Sequence, residues 1–249
     1  MNFSLALPLL AVLAAGPDDP KGFKQTARTD GVIVMARQEP GSDVAEVKAS
    51  GMIDAEPLAV WKVIRNYNGY KDTMPYTPES TVLKETGGGK EIWFYSVVSA
   101  PLVSKRDYVI KLTDNSRWMD GNGYLRVDWK VVDGFRPPRD GYVRLKLNTG
   151  FWKLEPREGG KKTFATYYVH TNPGGSLPSF IANQANNTAV PDVFRAVRKH
   201  VPAAVKQLEA ERKAEAEAKA KAAPVAPAAP SAPAAAPPAP EASKAQEAK

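Results

Sequence analysis

The chain of 249 residues contains no cysteine and only two histidines, His170 and His200. Without a thiol there can be no disulfide framework, thiol nucleophile or Cys-based zinc site, and no lipoprotein start, which needs a Cys after the cleavage site. The absence leaves the compartment open. Two histidines cannot build a multi-histidine metal site or an HExxH helix. No G-x-S-x-G elbow, P-loop or G-x-G-x-x-G leading into a helix occurs. The GGG at 87–89 falls between two strand-like runs and reads as a hairpin turn rather than a phosphate cradle. These absences predict a protein with no catalytic residue, metal ion or cofactor.

Concentrated charge is also lacking. The net charge is +7, and from Ala203 onward seven Lys/Arg face six Glu, which leaves +6 spread over the preceding residues. No basic block reads as a nucleic-acid footprint, although the balance permits transient contact with an anionic membrane surface. One apolar run exists, Phe3 to Ala15 within MNFSLALPLLAVLAAG. It is too short to span a bilayer comfortably and is followed by small residues, so residues 1–16 are expected to be a signal peptide. No Lys or Arg precedes the run, and a hydrophobic arm docked on the domain is the alternative. Export predicts a periplasmic or secreted protein that is soluble after cleavage.

At the other end, KQLEAERKAEAEAKAK (206–221) alternates charge on an alanine background, as a solvated helical extension does. Residues 222–249 are rich in Ala and Pro. They predict an extended disordered tail, either an inert linker or a tether to a partner.

The body between, 23–205, is long enough for one well-filled core. Gly31–Gln38 and Ala45–Ile53 read as an opening strand pair, and Asp54 is a plausible N-cap for a helix with apolar positions Leu58, Val60, Trp61 and Ile64. Strand signals follow at 80–85, 91–99, 107–113, 124–132, 142–148, 150–156 and 163–171, separated by turn clusters. Hairpin-sized spacing points to an antiparallel meander. Leu125, Val127, Trp129 and Val131 fall on one face, opposite Arg126, Asp128 and Lys130, and Tyr108, Ile110 and Leu112 alternate in the same way. The sheet therefore has an apolar, aromatic-rich face. Ser176-Leu-Pro178 opens a helix that can cover it, with apolar residues at Ile181, Val190, Phe194, Val197, Val201, Val205 and Leu208. Pro191 lies inside that pattern and is expected to kink it.

APLVSKRDYV (100–109), NPGGSLPSFIANQANNTAVPDVFRAVRKHV (172–201), DGVIVMAR (30–37) and SGMIDAEPLAVWKVIRNYNGY (50–70) resemble the START family of lipid-transfer domains, most closely phosphatidylcholine transfer protein-like members. The resemblance runs from about Phe23 to Val201. It implies an α+β helix-grip fold, in which a curved antiparallel sheet around a long C-terminal helix encloses a hydrophobic tunnel. The tunnel would be gated by that helix and by an Ω-loop at Asp133–Gly141. It also implies a monomer that binds a single lipid and transfers it between membranes.

Carried over residue by residue, the resemblance puts Lys71 in place of an arginine that contacts phosphate; the charge is kept without the bidentate fork. Tyr95 (or Phe94) and Tyr168 (or Tyr167) match aromatics that cage a choline. Aligned without gaps, the buried ion pair of sterol-binding members falls on Trp93 and Leu112, both apolar, which favours a phospholipid over a sterol. The apolar strand and helix faces add Tyr108, Leu112, Trp129, Trp152, Ile181, Val190 and Phe194 as expected lining. Arg106 and Asp107 are expected to form a structural charge pair at a strand end, and His170 a hydrogen-bonded core histidine or a tunnel-facing one. The alternatives are a polyketide cyclase or aromatase-like enzyme using Tyr168, His170 and Arg144 as pocket groups, and a lipid-sensing or structural interaction module.

Overall fold

The computed structural model describes Asp18 and residues 21–99, 104–175 and 179–222, with backbone only for 179–187 and 222. The expected signal peptide, the helix start at Ser176–Pro178, the side chain of Ile181 and the tail beyond 222 lie outside the described residues. Two compact units divide the chain, Met1–Glu211 and Arg212–Lys249. In the second, residues 212–222 are helical, and 212–221 are exposed.

Among the described residues, eleven strands and three α-helices form in the order β1 (Lys24–Thr29), β2 (Val32–Gln38), β3 (Ala45–Ile53), α1 (Pro57–Arg65), α2 (Tyr70–Thr73), β4 (Glu79–Thr86), β5 (Glu91–Val98), β6 (Arg106–Asp114), β7 (Arg117–Met119), β8 (Asn122–Val131), β9 (Val143–Arg144), β10 (Leu147–Arg157), β11 (Lys162–Asn172) and α3 (Ser179–Ala222). A 3-10 turn, Tyr67–Gly69, joins the first two helices. The main path across the sheet is β1-β2-β3-β11-β10-β8-β6-β5-β4, with β7 added to β8 and β9 to β6. Every pairing is antiparallel except that of β9 with β6. Chain neighbours pair through hairpins at both sides, and the step from β3 to β11 joins the two ends of the body.

One face of this sheet is covered by α1 and α3. Val60, Val63 and Ile64 from α1, and Val190, Phe194, Val197 and Val201 from α3, share a core with Val34, Ala49, Leu125, Val127, Trp152 and Leu154. The buried positions of α3 recur at three- and four-residue steps, so one stripe of the helix meets the sheet. Polar ties set its docking: Arg195 pairs with Asp30 at 2.8 Å, and Arg198 donates to the carbonyls of Asp30 and Met52, both at 2.7 Å. Helix α3 runs through both Pro191 and Pro202.

Three local readings change. Helix α1 begins at Pro57 with Glu56 in the N-cap position and no capping side chain; Asp54 lies outside it, 3.6 Å from Lys162. Strand β1, KQTART, carries no apolar run because it is a mostly exposed edge. The expected break near Thr149 is absent, and Leu147–Arg157 is one strand. Gly150 sits inside it because a Cβ there would meet the Tyr168 carbonyl oxygen at 2.2 Å and the Trp129 ring at 2.4 Å. Glycine permits that close approach.

Candidate functional site

The helix-covered face does not close completely. A cavity of about 290 Å³ remains between sheet and helices, near the lower end of the roughly 300–1,000 Å³ usual for ligand sites. From β6 it takes Tyr108, Ile110 and Leu112; from β8, Val127 and Trp129; from β10 and β11, Trp152, Tyr167 and Val169; and from α3, Ala189, Val190 and Val193. Period-two alternation brings these strand residues to one face. Two groups of rings shape the walls. Tyr67, Tyr70 and Phe94 lie 5.6 Å from one another, and Tyr167 lies 4.7 Å from Trp152 and 5.6 Å from Trp129. Burial pushes the phenols of Tyr67, Tyr70, Tyr108 and Tyr167 above their ordinary pKa, so they stay neutral donors. The Tyr67 hydroxyl is buried without a hydrogen-bond partner.

One end of the cavity is polar. Arg106, Asn148, Thr171, Thr77 and Tyr76 contribute there. The Asn148 side-chain oxygen accepts from Trp129 Nε1 at 3.0 Å and Thr171 Oγ1 at 3.2 Å. Tyr76 is 39 % exposed and reaches across to α3, where its hydroxyl donates to Asp192 at 2.9 Å. Its carbonyl accepts from Ser99 N at 2.8 Å, next to Val98, which pairs with Arg106 across β5 and β6. The polar end is therefore the end where β6 begins.

Of the residues expected to line a tunnel, Tyr108, Leu112, Trp129, Trp152 and Val190 face this cavity. Phe194 is fully buried behind them, 5.2 Å from Trp152. Lys71 does not join them: it is exposed on α2, because consecutive helical residues do not share a face and its neighbour Tyr70 takes the inward position. Tyr95 and Tyr168 point to the opposite face of the sheet, and their neighbours Phe94 and Tyr167 point inward. Tyr95 packs with Val97 and Val109 there, and Tyr168 donates to Glu46. Trp93 is also outward, 5.5 Å from Phe135 and beneath Lys84 and Lys111. Trp93 and Leu112 thus lie on opposite faces and could never have formed a pair; the cross-strand partner of Leu112 is Ile92, likewise apolar.

The enzyme-type polar set is not in the cavity. Tyr168 and His170 share the outer face, where His170 lies 3.0 Å from Ser42 Oγ and 3.3 Å from the Val44 carbonyl. Arg144 grips Asp107 with two bonds of 2.8 and 2.9 Å on that face as well. The loop Asp133–Gly141 supplies no lining residue. Arg144 holds the carbonyls of Arg136 and Pro137 at 2.9 Å, and Arg139 pairs with Glu79 at 2.8 Å, so the loop is fastened outside. Arg106 is the functional candidate that sequence reasoning set aside. Adjacent strand residues face opposite ways, so Arg106 and Asp107 are not a pair; Arg106 has the parity of Tyr108, Ile110 and Leu112, and that signal was present in the sequence.

A sheet gripping a long C-terminal helix over one apolar cavity defines the helix-grip class of small-ligand-binding domains. The START domain profile matches residues 23–207, and the chain belongs to the START domain family. An uncharacterised protein of Pseudomonas aeruginosa is 30 % identical over 172 residues, covering 68 % of this chain and 81 % of that protein. The crystal structure of a fragment of a STAR-related lipid transfer protein from Xanthomonas axonopodis is 32 % identical, with a TM-score of 0.65, over 73 % of this chain and 99 % of that one. Human StAR-related lipid transfer protein 5 shares the fold at 21 % identity and TM-score 0.66, over 77 % of this chain and 90 % of that one.

Proposed function

We propose that the domain holds one lipid in its cavity and carries it between membranes, without catalysing a reaction. The observation that carries this reading is the cavity itself, walled by aromatic and aliphatic side chains and polar at one end. Burial of an acyl chain there would supply about 0.8 kcal/mol per methylene. An amphiphile of the phospholipid class is favoured over a sterol, because the polar groups gather at one end and the Ile92–Leu112 pair is apolar. Residues 1–16 would direct export, so that a monomer works in the periplasm with passing contact to membrane surfaces.

Native mass spectrometry of the gently purified protein tests the reading. A bound lipid of defined mass supports it. A protein that is empty, and that takes up nothing from vesicles of phosphatidylethanolamine and phosphatidylglycerol, overturns it. N-terminal sequencing of the periplasmic fraction tests export, with a mature start close to residue 17 expected.

A further inference from the structure

Among the described lining residues, Arg106 alone is ionised at neutral pH. It is 6 % exposed. Its Nε donates to the Pro173 carbonyl at 3.3 Å and its Nη1 to the Ser104 carbonyl. These two bonds orient the guanidinium, and Nη2 has no acceptor among the described residues. Burial pulls its pKa below the ordinary value, with no carboxylate opposing the effect. Asp107, next in sequence, is committed to Arg144 across the sheet.

A guanidinium has five N–H donors and does not lose its charge in a protein, so burying one without an anion is costly. The fold meets that cost elsewhere. The other deeply buried arginine, Arg37, is matched by Glu46 at 2.5 Å on the outer face. The cavity arginine has no such carboxylate among the described residues. It stands at the polar end, and the apolar lining runs from it along β6 to Leu112, six residues on, or about 20 Å of strand.

We propose that Arg106 is the head-group anchor of the cavity, and that the ligand is an amphiphile with an anionic oxygen head, carboxylate or phosphate. The head sits against the free edge of the guanidinium and the tail runs inward past Tyr108 and Ile110 toward Leu112 and Phe94. Planar two-point contact with either oxyanion suits arginine better than lysine. This assignment rests on the lipid-carrier reading.

The test is a titration of the full chain, followed by the fluorescence of the lining tryptophans, with three single-chain probes: oleate, oleoyl lysophosphatidate and uncharged oleyl alcohol. At least one anion is expected to bind tenfold or more tighter than the alcohol, about 1.4 kcal/mol. Oleate alone would identify a carboxylate head, lysophosphatidate alone a phosphate head, and both the shared oxyanion chemistry. In R106Q the anion-to-alcohol ratio should collapse to about threefold or less, with R106K intermediate. An equal ratio in the unmodified protein, or an undiminished one in R106Q, overturns the anchor while leaving the carrier reading intact. Failure of all three probes to bind overturns the carrier reading and the anchor with it. If R106Q does not fold by near-ultraviolet circular dichroism, the unmodified protein and R106K decide between the same outcomes.

Discussion

Gly150 is the position at which one added methyl group would be felt most. Its missing Cβ leaves room for the Trp129 ring at 2.4 Å and the Tyr168 carbonyl at 2.2 Å, and neither is a flexible chain end. Gly150→Ala should therefore lower stability by about 1–3 kcal/mol, the usual cost of forcing extra volume into a packed interior. Urea unfolding followed by tryptophan fluorescence measures it, and an unchanged midpoint would contradict the close approach. Glu46 is the second such residue. Burial by itself pushes its carboxyl up, but the bonds from Arg37 and Tyr168 outweigh burial and hold it below the ordinary 4.5. A carboxyl depressed in the folded state contributes stability that is complete above its unfolded value and is lost as pH falls through the folded one. The melting temperature should thus decline below about pH 4.5. Glu46→Gln removes the carboxylate from Arg37, costs on the order of 3 kcal/mol at neutral pH, and flattens that acid limb. Melting curves that shift in parallel with pH for both proteins would refute the assignment.

Between elements, a contact at the polar end of the cavity joins Tyr76 to Asp192 of α3. Tyr76 adopts a positive φ of 57°, an uncommon conformation for a residue with a Cβ, and it holds its ring over the cavity while remaining partly exposed. Tyr76→Phe keeps the ring and removes the bond. Because the bond is exposed, stability should change by no more than about 0.5 kcal/mol. The rate of lipid exchange with vesicles should rise several-fold if the bond restrains the opening, and stopped-flow transfer of a fluorescent lipid would read it. Strand and helix identities were largely legible at this scale. The alternation in β6 and β8 and the apolar stripe of α3 each match one buried face. The edge strand β1 was not legible, since a strand with no apolar face has no period to detect. Nor was the continuity of β10, since glycine reads as a break until its neighbour, Trp129, is known.

For the whole molecule, the core of the first unit ends about two thirds of the way along the long helix. The last residue packed against it is Leu208, and the described residues of the second unit are exposed. Deleting 212–249 should leave the melting temperature and lipid uptake of the body unchanged, which differential scanning calorimetry and native mass spectrometry would establish together. A loss of binding would assign the tail a part in function. Composition and periodicity by themselves determined that the chain builds an antiparallel sheet with a covering helix. They also marked Tyr108, Leu112, Trp129, Trp152 and Val190 as inward. What only the tertiary structure decided was the facing of β5 and β11. Both sides of those strands carry apolar or aromatic side chains: Tyr95 and Val97 of β5 join Val109 of β6 in a second cluster, and Tyr168 of β11 stacks on Phe151. A period of two specifies two faces but not which of them α1 and α3 will cover. That choice turned Phe94 and Tyr167 inward in place of Tyr95 and Tyr168.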